Sequence, residues 1–184
     1  MHDDVPSMSG TLVQGLVEVA REVVGASAVA TGLEEAPAWA RDRVLGALPG
    51  QWVPIEASEL AFGSIARVAG RDLPELHLEL ARLSVARAVK TFWRVLLHFT
   101  TDQALVSRCP VFFGKSYNRG RLSAHVSAPG RGQVDLVDWP DAPDWPLRGS
   151  RAGIETVMTA AGRRDVRVQA KRTHEGAVFL ITWS

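Results

Sequence analysis

From Thr11 onward, apolar residues recur at steps of three and four, at Leu12, Leu16, Val19 and Val23. That spacing predicts an amphipathic helix ending at Gly25. The stretch 26–37 carries Gly, Ser and paired acids and reads as mostly loop, and a short helix over Trp39–Leu48 follows, closed by Pro49-Gly50. Pro54 suits the first turn of the next helix, with Ile55, Phe62, Ile65 and Ala66 on its inner face and Gly70 as its stop. The longest periodic run begins near Pro74. Leu76, Leu80, Leu83, Val85, Val89, Phe92, Leu96 and Phe99 make one broad stripe, with Arg87, Lys90 and Arg94 opposite. Thr100-Thr101-Asp102-Gln103 matches a capping box, in which a Thr hydroxyl and a Gln side chain satisfy exposed amides reciprocally. A further helix is expected from about Thr101 through Leu105, Val106 and Cys109, kinked at Pro110 and reaching Tyr117.

After Gly120 the period changes to two. Leu122, Ala124 and Val126 alternate with Ser123, His125 and Ser127, residues 128–132 make a turn, and Val134–Val137 returns as a second strand. Three prolines between Trp139 and Pro146 rule out a strand ladder and predict a stiff surface loop. Ser150 is placed to cap a helix with Ile154, Val157, Met158 and Ala161 inward and Gly162 at its end. Val166–Ala170 and Ala177–Trp183 then pair across His174-Glu175-Gly176. A closing strand this apolar belongs inside a sheet. The pattern predicts an α+β fold: N-terminal helices, then helix-helix-hairpin-helix-hairpin, with an antiparallel sheet packed on helices. Residues 1–9 read as a flexible tail and 10–184 as a single α+β domain.

Composition narrows the classes. The 184 residues suffice for one good core. A formal net charge of +1 argues against a general nucleic-acid or membrane-surface binder, both of which need a basic excess. No apolar run approaches the ~18 residues of a membrane span, and the acidic start is unlike a signal peptide. The single cysteine, Cys109, excludes an internal disulfide and a multi-cysteine zinc site. These features point to a cytoplasmic protein.

Candidate chemistry is sparse. His98 falls at the end of the long helix, where the dipole favours a cation by ~0.5 kcal/mol. His77, His125 and His174 are dispersed with no acid at ligand spacing, so no metal site is expected. Cys109 sits in an apolar helix and reads as structural, since nothing local lowers its pKa. No catalytic set emerges, and the reading leans away from an enzyme. Lys115, Arg119 and Arg121 surround Tyr117. They form either an anion pocket, since guanidinium forks bind carboxylate or phosphate, or a solvated basic corner. Trp139 and Trp145 flank the proline-rich loop, as a lid over a core or pocket or as a docking point for a partner. Asp135, Asp138, Asp141 and Asp144 recur every three residues without the glycine and terminal Glu of a calcium loop, and read as solubilising.

The order of elements, together with Gln51-Trp52-Val53-Pro54-Ile55-Glu56, Arg82, Arg87, Asp102, Arg108-Cys109-Pro110 and the glycine-ended helix before a closing hairpin, resembles a myxobacterial paralogous family of about this length. The part from about 76 to 184 also resembles the superfamily of 4-vinyl-reductase-type, heme-NO-binding and TRAPP transport-subunit domains. The resemblance implies an α+β fold that encloses a small molecule, heme or acyl chain, or presents a dimer surface. Heme-NO-binding domains carry a Tyr-x-Ser-x-Arg signature that grips the porphyrin carboxylates. Tyr117-Asn118-Arg119-Gly120-Arg121 keeps the Tyr and the final Arg but puts Arg119 where Ser is expected. The proximal histidine of those domains should lie well upstream on a helix, and His98 is the only nearby candidate; the cysteine cluster of many 4-vinyl-reductase-type domains is absent. From these departures no cofactor is expected, heme included. The expected function is a non-catalytic small-ligand-sensing or scaffold domain in bacterial signalling or regulation. A homodimerisation or partner-assembly module is the alternative, and a reductase-like enzyme the third reading. Expected partners are a second copy or another protein and a small apolar or anionic ligand, with no nucleic acid.

Overall fold

The structure, a computed structural model, describes residues 5–92 and 101–184. The expectations placed on Arg94, Leu96, His98 and Phe99 lie outside the described residues, as do the side chains of Lys90 and Phe92. The chain divides into two compact units, one of residues 1–84 with 116–118 and one of residues 85–115 with 119–184.

The first unit is helical. Strand β1 (Ser7–Ser9) pairs antiparallel with β2 (Trp52–Pro54). Residues read as a tail are thus partly ordered, and Met8 is fully buried. Three residues are too few to show a period, which is why the pattern missed this strand. Ser9 caps helix α1 (Gly10–Val23), its Oγ accepting from the Leu12 amide at 3.3 Å. Helix α2 (Ala26–Glu35) occupies the stretch expected to be loop. It forms because Val29 and Leu33 bury against the core and Gly32 lets it approach α4 (Ile55–Val68) closely. A Cβ at Gly32 would lie 2.5 Å from Ile65 Cα. Tertiary contact here overrides weak local propensity. Helix α3 (Ala38–Leu45) lies between them in sequence. The stops at Gly25 and Gly70 appear as expected, with φ of 91° and 65°. Helix α5 (Leu73–Phe92) buries Leu76, Leu80 and Val89, and His77 goes inward with them, whereas Leu83 is 41% exposed.

In the second unit the single kinked helix resolves into two, α6 (Asp102–Val106) and α7 (Cys109–Ser116). Thr101 is the cap, its Oγ1 accepting from the Ala104 amide at 3.2 Å. Gln103 Oε1 accepts from the Val126 amide at 3.2 Å, fastening α6 to a strand. Pro110 falls in the first turn of α7, where its missing N–H costs no helical hydrogen bond.

Four antiparallel strands, β3 (Arg121–Ala128), β4 (Arg131–Val137), β5 (Arg167–Arg172) and β6 (Ala177–Thr182), stand in the order β3-β4-β6-β5. The closing strand is therefore interior, as its composition predicts, with Ala177, Phe179 and Ile181 buried. They share a face with Val134, Leu136 and Val168. Helix α8 (Asp144–Ala160) packs on β5 and ends before Gly162 at φ 87°. The α+β fold class is observed.

Candidate functional site

Tyr117, the chain's one tyrosine, follows α7 within the first unit and bridges to Met8 of β1. Asn118 pins this segment down. Its amide donates to the Ser7 carbonyl at 3.1 Å, its Oδ1 accepts from the Ser7 amide at 2.7 Å, and its Nδ2 donates to the Val5 carbonyl at 3.1 Å. The tyrosine ring is buried, and loss of solvent pushes its phenol well above the ordinary value. The group is a neutral hydroxyl at any physiological pH.

Arg119 opens the neighbouring stretch of the second unit. It is half-buried and has no ion-pair or hydrogen-bond partner among the described residues. Gly120 is required by both torsion and space. Its φ is 77°, and a Cβ there would lie 2.8 Å from Leu136 Cδ1 and 3.1 Å from Trp139 Cε3. Arg121 begins β3 and donates from Nε to Asp138 Oδ2 at 2.6 Å, with both side chains well exposed. The basic corner is thus not uniform. Arg121 already has its carboxylate, while Arg119 and the exposed Lys115 have none among the described residues.

Trp139 and Trp145 are both fully buried in the second unit. The loop between them is shorter than the prolines suggest, because α8 begins at Asp144 with Trp145 and Pro146 in its first turn. Proline is tolerated there because the first amides of a helix have no intrahelical acceptor. The indoles therefore fold back into the core of the second unit. Two of the four spaced aspartates hold ion pairs. Asp138 holds Arg121, and Asp144 accepts from Arg172 at 2.5 Å and from Arg148 at 3.5 Å.

One constellation has no sequence signal beyond a capping position. Asp102 accepts from Arg163 Nε at 2.8 Å and Nη2 at 2.7 Å, and from Trp183 Nε1 at 3.2 Å. It ties the start of α6 to the loop after α8 and to the end of the chain. The partners lie 61 and 81 residues away, so no local pattern could reveal them. Burial pushes the Cys109 thiol up to about 11, leaving it protonated at neutral pH. On the first unit, a shallow groove runs along α5, lined by Glu75, Leu78, Glu79, Arg82 and Leu83.

No family model and no curated protein sequence matches the chain. Solved structures do. An oxygen-binding H-NOX domain related to soluble guanylate cyclases, in its oxygen complex, superposes with a TM-score of 0.68 at 15% identity, covering 96% of this chain and 95% of that one. A mutant of the T. tengcongensis H-NOX gives 0.70 at 15% identity over 96% and 98%. A structure from a study of heme distortion in the H-NOX family gives 0.69 at 16% identity over 96% and 95%. At this identity the likeness establishes the fold alone, and the fold is that of these H-NOX structures. It also overturns the expectation of a chain without a cofactor. That expectation rested on Arg119 in the Ser position of one short motif, on His98 as the only nearby candidate for the proximal histidine and on the absent cysteine cluster, whereas the likeness to H-NOX structures runs along nearly the whole chain.

Proposed function

We propose that this chain is a heme-dependent sensor of a small ligand in bacterial signalling. The reading is carried by the H-NOX fold over 96% of the chain, combined with an arginine lacking an anionic partner among the described residues two positions after the buried tyrosine. A heme presents two carboxylates, and Arg119 of the second unit fits one chemically, offering a guanidinium fork suited to a carboxylate. Arg121, at the final position of the Tyr-x-Ser-x-Arg pattern, is held by Asp138 instead. The substitution of Arg for Ser at 119 then moves the cation two residues along without losing it. When bound, heme supplies an iron that takes a diatomic gas as its ligand. Arg119 would hold a carboxylate of the group, burial keeps the Tyr117 proton in place, and Gly120 permits the close approach of Leu136 and Trp139.

Hemin titration of the purified chain, followed by absorbance, tests this. The expected result is a Soret band at one equivalent, with retention weakened roughly tenfold in Arg119→Ala, about the worth of a charge-assisted hydrogen bond, and little changed in Arg121→Ala. No band in protein expressed with a heme supply, and none on adding hemin, would overturn the proposal.

Partner assembly is a second reading. It is supported by Trp39, Leu45, Leu48 and Trp52 on the first unit, which are 47%, 57%, 55% and 43% exposed. Native mass of the isolated chain decides whether a second copy covers them.

A further inference from the structure

The formal charge of +1 conceals a separation that only the fold reveals. The first unit carries 12 acidic and 6 basic residues and the second 8 acidic and 15 basic, giving formal charges of −6 and +7. Within the second unit the sheet has two unlike faces. One buries Val134, Leu136, Phe179 and Ile181. On the other, the register places Arg131 and Arg167 on either side of Thr182, and Lys171 in the row of Val178 and Asp135. Arg131, Arg167 and Lys171 are all exposed, and none has an ion-pair partner among the described residues. Directly opposed residues share a face, so all three project from the same side. Gln133 and Gln169 fill the row between them, flanking Leu180.

We propose that this open face of the sheet is a docking surface for an acidic protein segment. The only acid in these three rows is Asp135, and its Oδ1 already accepts from Gln133 Nε2 at 2.7 Å. Charges that merely solubilise a sheet are interspersed in sign, and opposite charges across strands stabilise it. Here the cations are left unmatched. Guarding of a free edge does not account for them either. A guard belongs on an edge strand, as Arg167 and Lys171 on β5 do, but Arg131, which completes the row with Arg167, sits on β4, an interior strand. Strand spacing puts the Arg131 and Arg167 backbones about 10 Å apart and the Arg167 and Lys171 backbones about 13 Å apart. An extended segment with carboxylates four residues apart matches the longer span. The rows hold no Phe, Tyr or Trp on which bases could stack, which favours polypeptide over single-stranded nucleic acid. The inference does not depend on heme.

The test uses the full chain and a labelled, extended peptide of about twelve residues with Glu at every fourth position, followed by fluorescence anisotropy at about 20 mM and about 200 mM salt. Binding should weaken at least tenfold over that range. It should also weaken at least tenfold in Arg131→Glu/Arg167→Glu/Lys171→Glu, and stay within about twofold in Arg21→Glu/Arg43→Glu/Arg67→Glu, which changes net charge equally on the first unit. If the reversed face fails to fold by circular dichroism, the corresponding triple Gln variant decides the matter with the same threshold. Equal losses in both triple variants would mean that net charge alone acts, and would overturn the proposal, as would absence of binding to the unaltered chain. Tighter binding of a poly-dT strand, or of vesicles of phosphatidylserine and phosphatidylcholine, would overturn the choice of partner.

Discussion

Removing the Asp102 carboxylate should unfasten the start of α6 from the end of the chain. Arg163 is 15% exposed and Asp102 36%, so the pair stands between a surface ion pair, worth at most about 1 kcal/mol, and a buried one, where loss of one partner costs about 3–5 kcal/mol. Three donors converge on the carboxylate, two from Arg163 and one from Trp183. Hydrogen bonds to charged groups are worth about 1.5–3 kcal/mol. Part of the Arg163 guanidinium stays satisfied without Asp102, because Nη1 donates to the Ala161 carbonyl at 2.6 Å. Taken together these bounds give about 2–3 kcal/mol for Asp102→Ala, or a fall in Tm of about 5–10 °C for a chain of this length. A double-mutant cycle with Arg163→Met in urea denaturation separates the pair from its surroundings. The two single losses should exceed the double loss by at least about 1 kcal/mol, which is within the range measured for contacting partners. Tryptophan emission from Trp183 should shift in Asp102→Ala as the indole loses its acceptor. Additive losses, or a single-variant cost below about 0.5 kcal/mol, typical of a neutral surface change, would show that the contact carries no stability.

Gly120→Ala should cost about 2–3 kcal/mol, since it combines a left-handed torsion with a Cβ 2.8 Å from Leu136; an unchanged urea midpoint would refute the steric account. Alkaline stability carries a defined sign. Burial raises the Cys109 thiol from 9.0 to about 11, and the Tyr117 phenol is also raised from its ordinary value. Both groups stay neutral in the fold after the unfolded chain has begun to lose those protons. Their contribution is therefore complete below the unfolded values and is lost as pH rises through the folded ones. The urea midpoint should fall between pH 9 and about 11, and Cys109→Ala should flatten that window. Tyrosinate absorbance reports Tyr117 alone, because the chain has one tyrosine. Titration near its ordinary value in folded protein would contradict the burial.

Periodicity located most of the elements because it records which side of a segment meets apolar surroundings, and that record is local. The glycine stops after α1, α4 and α8, both hairpins and the interior position of Ala177–Thr182 were all legible in this way. The tyrosine and arginines of the candidate site were visible as residue types. Which arginine is committed was not, because the Arg121–Asp138 pair depends on how β3 and β4 meet at their ends.

Local pattern determined the α+β class, the order of helices and strands, and the stripe of each that turns inward. Tertiary structure alone decided the rest, since those outcomes depend on residues distant in sequence. Helix α2 exists because Gly32 can lie against Ile65, and β1 exists because residues 52–54 are there to pair with it. Trp139 and Trp145 became core in a segment whose prolines spoke for surface. The net charge of +1 separated into −6 and +7 once the fold divided the chain. An expectation of no cofactor, drawn from departures at a few residues, gave way to a likeness spread over nearly the whole chain. A fold places groups in space through contacts between distant segments, and short motifs do not record those contacts.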